Sequence, residues 1–146
     1  MSSSASIKFF NACSTGDVEA VRSFLDAGVA PDARDKYNLT GLIWAGRKGR
    51  IEVAELLLER GAMLEAGDLR GRTSLFHAVT YQRYEYVEHL ARLGANVSPV
   101  DTHGWSPLDV ARAEHHFKMV GLLESLGGVS CREGLSSSLN RNTRPS

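Results

Sequence analysis

Cysteine is scarce. Cys13 and Cys131 are the only two in a chain of 146 residues. Two thiols so far apart make no disulfide framework, which excludes a small stapled scaffold and favours a reducing compartment. Net charge is missing as well, with 17 Lys and Arg against 17 Asp and Glu. The chain therefore has no global field toward nucleic acid or an acidic membrane surface. No run approaches the roughly 18 apolar residues of a membrane span. The opening MSSSASIKFF lacks the basic stretch and apolar run of a secretory leader, and Ser2 in place of glycine excludes N-myristoylation.

Catalytic signatures are equally sparse. Neither GxSxG nor HExxH occurs. The segment GLIWAGRKG lacks the Gly-Lys-Ser/Thr ending of a phosphate loop and opens a helix with no strand before it. His115 and His116 are adjacent, so on a helix their side chains diverge by about 100°. His77, His89 and His103 have no metal-ligand spacing. Cys13 has no histidine near it in sequence and reads as a structural thiol. The expectation is a chain with no catalytic residues, no metal and no cofactor.

What the sequence has is a period. Glycine recurs at Gly28, Gly61, Gly94 and Gly127, alanine at Ala12, Ala45, Ala78 and Ala111, and aspartate at Asp35, Asp68 and Asp101. At an average glycine usage of about 7%, the glycine series alone would arise by chance on the order of once in a few thousand trials. A fixed period in this range means stacked supersecondary units, which present a binding face more often than a catalytic pocket.

Each unit reads as a turn-rich opening followed by two helices. In the second, Thr40 is placed to cap a helix over 41–48, and Gly49 to end it with a left-handed residue. The next helix, IEVAELLLERG, sets Ile51, Ala54, Leu57 and Leu58 on one face. Equivalent buried rows are Tyr84, Val87 and Leu90 in the third unit, Phe117, Val120 and Leu123 in the fourth, and Val18, Val21 and Phe24 in the first. Pro107 suits the first turn of its helix. The first unit starts directly with the helix ASIKFFNACSTG and lacks a clear opening turn. No unit buries its stripe alone, so stability is expected to be nearly additive in repeats and interfaces. The polar Lys8, Asn11 and Ser14 suit one outer end, and Glu124 and Ser125 the other.

The segments DKYNLTGLIWA at 35–45, DLRGRTSLFHA at 68–78 and DTHGWSPLDVA at 101–111 resemble the ankyrin-repeat opening, Asp-x-x-Gly-x-Thr-Pro-Leu-His-x-Ala. The endings LLLERGAMLEA and LARLGANVSPV resemble its Leu-Leu-x-x-Gly-Ala close. The resemblance covers residues 5–128 and implies an all-α solenoid of helix–turn–helix repeats, about 5–34, 35–67, 68–100 and 101–128, joined by β-turn or hairpin fingers. Residues 1–4 and the Ser- and Arg-rich stretch 129–146 read as disordered ends. Departures from the pattern are specific. Ile43, Phe76 and Asp109 replace its histidine, so the hydroxyl–imidazole bond expected of the family is absent. Gln82 and His115 replace the glycine between helices, at a cost of roughly 1 kcal/mol each if a left-handed residue is still needed there.

The resemblance also implies protein binding through finger tips and inner helices on a concave face. Carried onto this chain, that face comprises Tyr37, Trp44, Arg47 and Lys48 in the second repeat, Arg70, Arg72, His77 and Tyr81 in the third, and His103 and Trp105 in the fourth. Lys36, Leu39, Leu69, Val110 and Glu114 flank them. Trp, Tyr and Arg are the residue types that carry hot-spot energy. The basic, aromatic centre points to a partner protein with an acidic or hydrophobic segment. The full expectation is a monomeric, non-catalytic cytoplasmic adaptor, inhibitor or assembly factor, with a nuclear setting equally compatible and no membrane contact. The alternative is an acidic small ligand or nucleic acid bound by the same basic centre, which steep salt dependence would reveal.

Overall fold

The computed structural model describes residues 3–132. Among these, the chain forms four successive helix–turn–helix pairs: α1 (Ser3–Thr15) with α2 (Val18–Asp26), α3 (Gly41–Lys48) with α4 (Ile51–Glu59), α5 (Ser74–Thr80) with α6 (Tyr84–Arg92), and α7 (Pro107–Ala113) with α8 (Phe117–Ser125). The inner helices pack in series, α1 on α3, α3 on α5 and α5 on α7, and the outer helices α2, α4 and α6 follow behind them. No strand forms among the described residues, and a single bridge pairs Arg34 with Thr40. The architecture is an all-helical repeat stack, as the period implies.

Local chemistry explains where each inner helix starts. Thr40, Thr73 and Ser106 sit in extended backbone and accept the N–H of Ile43, Phe76 and Asp109. Each satisfies a donor that the helix itself leaves unpaired. Ser106 and Asp109 complete a reciprocal capping box, with Pro107 just inside it. α3 ends at Gly49 with φ 73°. Gln82 and His115 stand in the same register, and both take φ 59°. The left-handed residue is therefore retained without glycine, and its steric cost is incurred twice.

One continuous apolar core runs through all four repeats. Val21, Ala54, Leu57, Val87, Leu90 and Leu123 are fully buried, as the outer-helix periodicity predicts. Phe117 is not: it is 71% exposed. The equivalent Tyr84 has Lys118 of the next outer helix over its ring, and no described helix stands beyond α8 to cover Phe117. The rows also run wider than one stripe. Val53, Leu56, Tyr86 and Met119 are all buried, because an outer helix is covered both by its own inner helix and by a neighbouring repeat.

α3 and α5 come into backbone contact at Gly46. A Cβ on Gly46 would stand 2.6 Å from the Ser74 carbonyl oxygen, so only glycine lets the two backbones meet. At this seam the Ser74 hydroxyl donates to Leu42 O (2.7 Å) and the Tyr86 hydroxyl reaches both Leu42 O (3.1 Å) and Ser74 Oγ (2.7 Å). Ser3 already belongs to α1. At the other end, residues 129–132 turn back onto α7, and the remainder of the expected tail, from 133 on, lies outside the described residues.

Candidate partner-binding face

The fingers, residues 35–40, 68–73 and 101–106, are built on one device. Each opening aspartate uses Oδ1 to accept two backbone N–H groups: Asp35 from Tyr37 and Leu39, Asp68 from Arg70 and Arg72, Asp101 from His103 and Trp105. This folds the turn around its own carboxylate. The other oxygen is anchored by a side chain nine residues on. Trp44 Nε1 donates to Asp35 Oδ2 at 2.7 Å, and His77 Nε2 pairs with Asp68 Oδ2 at 2.8 Å. In the fourth repeat that position is Val110, which has nothing to donate. Arg72, from the third repeat, takes over, with Nε and Nη2 both 3.0 Å from Asp101 Oδ2.

These anchors set the protonation chemistry. Burial pushes the Asp68 and Asp101 carboxyls up, but the finger N–H groups, with His77 and Arg72 respectively, outweigh it and hold both below the usual carboxylate range. Asp109 is held low too: burial raises it, and the hydrogen bonds from Ser130, Ser106 and Cys131 win. Burial pulls His77 below the ordinary imidazole value against the opposing pull of Asp68. All four groups act in one direction. An unfolded histidine binds its proton near pH 6.5 and an unfolded aspartate near 3.9. The stabilisation from His77 is complete above about 6.5 and is lost as pH falls through its lower folded value. That from the aspartates is complete above about 3.9 and is lost further down. Urea midpoints should therefore fall stepwise on acidification, and His77→Asn should remove the first step. A midpoint that rises between pH 7 and 5 would contradict this.

The expected site residues divide into two groups. Trp44, His77 and Arg72 are tied to the fingers as just described, and Arg72 also lies over the Phe76 ring at 4.5 Å. Trp105 is half-buried with Arg132 over its ring at 4.4 Å. Tyr37, Lys48, Arg70, Tyr81 and His103 are exposed. Of the flanking residues, Leu39 and Val110 are buried.

Arg47 joins the two groups. Its guanidinium lies 4.7 Å from the Trp44 ring centroid and 4.9 Å from that of Tyr81, and Nη2 donates to the Tyr81 hydroxyl. Its Nε is buried and has no hydrogen-bond partner. The result is a preordered aromatic–cation–aromatic strip running from α3 to α5. Nothing in it is nucleophilic. Cys13, the buried thiol, is pushed up to about 12 by its burial and is inert.

Sequence reasoning did not find a second feature, a groove of about 550 Å³ between α1 and the second-repeat finger. Ile7, Phe10, Asn11, Lys36, Tyr37 and Trp44 line it. Its signal was present in the sequence as the missing opening turn of the first repeat.

A family model described as Ankyrin repeats (3 copies) matches residues 9–101. No curated protein matches the chain.

Proposed function

We propose that this chain, which belongs to the ankyrin-repeat family, is a non-catalytic module that binds one partner protein through its finger tips and inner-helix face. Ankyrin repeats are generally protein–protein interaction modules and are typically not catalytic. The observation that carries the finer reading is the Trp44–Arg47–Tyr81 strip. Two aromatic faces and a cation are fixed before any partner arrives, so little side-chain entropy remains to be lost on binding. Tyr81 is 42% exposed and leaves this strip accessible. Exposed Lys48 and Arg70 extend the positive charge around it. Such a surface suits a segment that presents carboxylates beside an apolar side chain.

The test is a paired affinity capture with the native chain and an Arg47→Ala, Tyr81→Ser double variant, each shown to be folded by circular dichroism. A partner held by these two residues should bind the variant about 30-fold more weakly, the equivalent of roughly 2 kcal/mol for a hot spot. Equal capture by both baits would remove the strip as the binding surface.

A further inference from the structure

We infer that the groove between α1 and the second-repeat finger is a docking slot for a tight turn supplied by another protein, a turn of the Asp-x-x-Asn/Gly-aliphatic kind. The inference deepens the binding role proposed above and rests on it for the existence of a partner. It stands on the register of the repeats.

Positions 3–7 stand one period before 36–40. In the second repeat that stretch is a finger. In the first it is the opening of α1, which at 13 residues is longer than α3 at 8. Exposure measures the difference. Thr40, at the foot of the second finger, is 1% exposed, and its counterpart Ile7 is 60% exposed. Leu39 is 7% exposed, packed where its own finger returns to the stack, and its counterpart is Ser6, which leaves the apolar space open. Ile7, Phe10 and Tyr37 border that space, so an aliphatic side chain presented like Leu39 fits between them.

Finger-to-finger packing is already an interface of this molecule. Thr102 N–H donates to Arg70 O at 2.8 Å, joining the fourth finger to the third. Arg34 Nη1 donates to Gly67 O at 2.9 Å, joining the end of the first repeat to the end of the second. Two periods before Thr102 stands Lys36, on the edge of the second finger that lines the groove. Its carbonyl counterpart, in register with Arg70, is Ser4, which is inside α1. The slot thus continues an existing stacking interface, with a finger edge on one side and an apolar floor below. Lys36 on its edge is exposed, while both oxygens of the Asp35 carboxylate are engaged by Trp44 Nε1 and by the N–H groups of Tyr37 and Leu39, which leaves Lys36 as the charge open to an incoming group. An acidic residue beside the incoming turn is complementary to it.

The probe is a cyclic peptide carrying Asp-Lys-Tyr-Asn-Leu-Thr, the sequence of 35–40, with a cyclic scramble of the same composition as control. Amide spectra of the full chain are recorded through the titration. The expected result is saturable shifts at Ile7, Lys36 and Tyr37, at least tenfold weaker with the scramble and with the Ile7→Glu variant. Ile7 is a surface position, so that variant folds, and Tyr37→Ser provides an independent one. Absence of saturable shifts in the groove overturns the slot. So does a concentration-dependent dimer that Ile7→Glu abolishes, which would assign the groove to a second copy. Peptide binding in the groove with capture indifferent to the Arg47→Ala, Tyr81→Ser change would retain the slot and reject the strip. The converse pair of results would do the opposite.

Discussion

Tyr86→Ala is expected to destabilise the chain by roughly 3–5 kcal/mol, the range for truncating a large buried aromatic, whereas Tyr86→Phe should cost only about 1 kcal/mol. Tyr86 is 1% exposed. Its ring fills the space behind α5, and its hydroxyl crosses to α3. The alanine variant loses both ring and hydroxyl and opens a cavity that neighbouring helices cannot close, because Gly46 already brings α3 and α5 into backbone contact. The phenylalanine variant keeps the ring. It also leaves Leu42 O satisfied, since Ser74 Oγ donates to that carbonyl at 2.7 Å. The loss in Tyr86→Ala falls on the seam between the second and third repeats, so its urea transition should broaden relative to the native chain as the two halves begin to melt separately. Equal losses for the two variants would mean that the hydroxyl network, not the ring, holds the seam.

Arg72→Glu is the second large effect, expected at about 3 kcal/mol or more, in the range for breaking a buried ion pair. The Arg72 side chain is 17% exposed and that of Asp101 is 0% exposed. Reversal would place a carboxylate against another carboxylate that still carries the two backbone N–H bonds of its finger. It would also strip the cation from the Phe76 ring. Arg70→Glu, two residues away and exposed, should change stability by no more than about 0.5 kcal/mol. Thermal denaturation of the two single variants decides the matter. Similar melting temperatures would show Arg72 to be a solvated surface charge. The contrast also dictates how binding should be probed, because a loss of affinity in Arg72→Glu would report on a damaged fourth finger, not on lost contact with a partner.

The repeat stack was legible because its signals are local and multiplied. The cap Thr40, the left-handed Gly49 and the aspartates each state a backbone requirement in one residue, and the period repeats it. Even the replaced glycines are consistent, since Gln82 and His115 keep positive φ in the register where the pattern demands it. The candidate face was less legible. Exposure at a repeat position depends on the neighbouring repeat, which is why Phe117 was expected in the core and lies outside it. Trp44, His77 and Arg72 read as binding residues from their chemistry. Their roles as finger anchors arise only when Oδ2 of an aspartate nine or twenty-nine positions away comes within 3.0 Å. The groove was missed for a related reason: the absent opening turn of the first repeat was legible, but a cleft exists only once α1 packs beside the second-repeat finger.

The clasp on Asp109 bears on stoichiometry. Ser130 Oγ and the N–H groups of Cys131 and Arg132 bond that carboxylate, Val129 N–H reaches Ser98 Oγ, and Arg132 covers Trp105. The α7 part of the fourth repeat is thereby covered, with Asp109 and Val110 at 5% and 8% exposure, while Phe117 on α8 stays open and the first repeat keeps an open flank. Among the described residues, the two ends of the stack are unlike. A head-to-tail contact between identical copies needs both ends and would propagate into a fibre. With α7 covered, a second copy would have to displace residues 129–132 to continue the stack there, so the described array has a polarity.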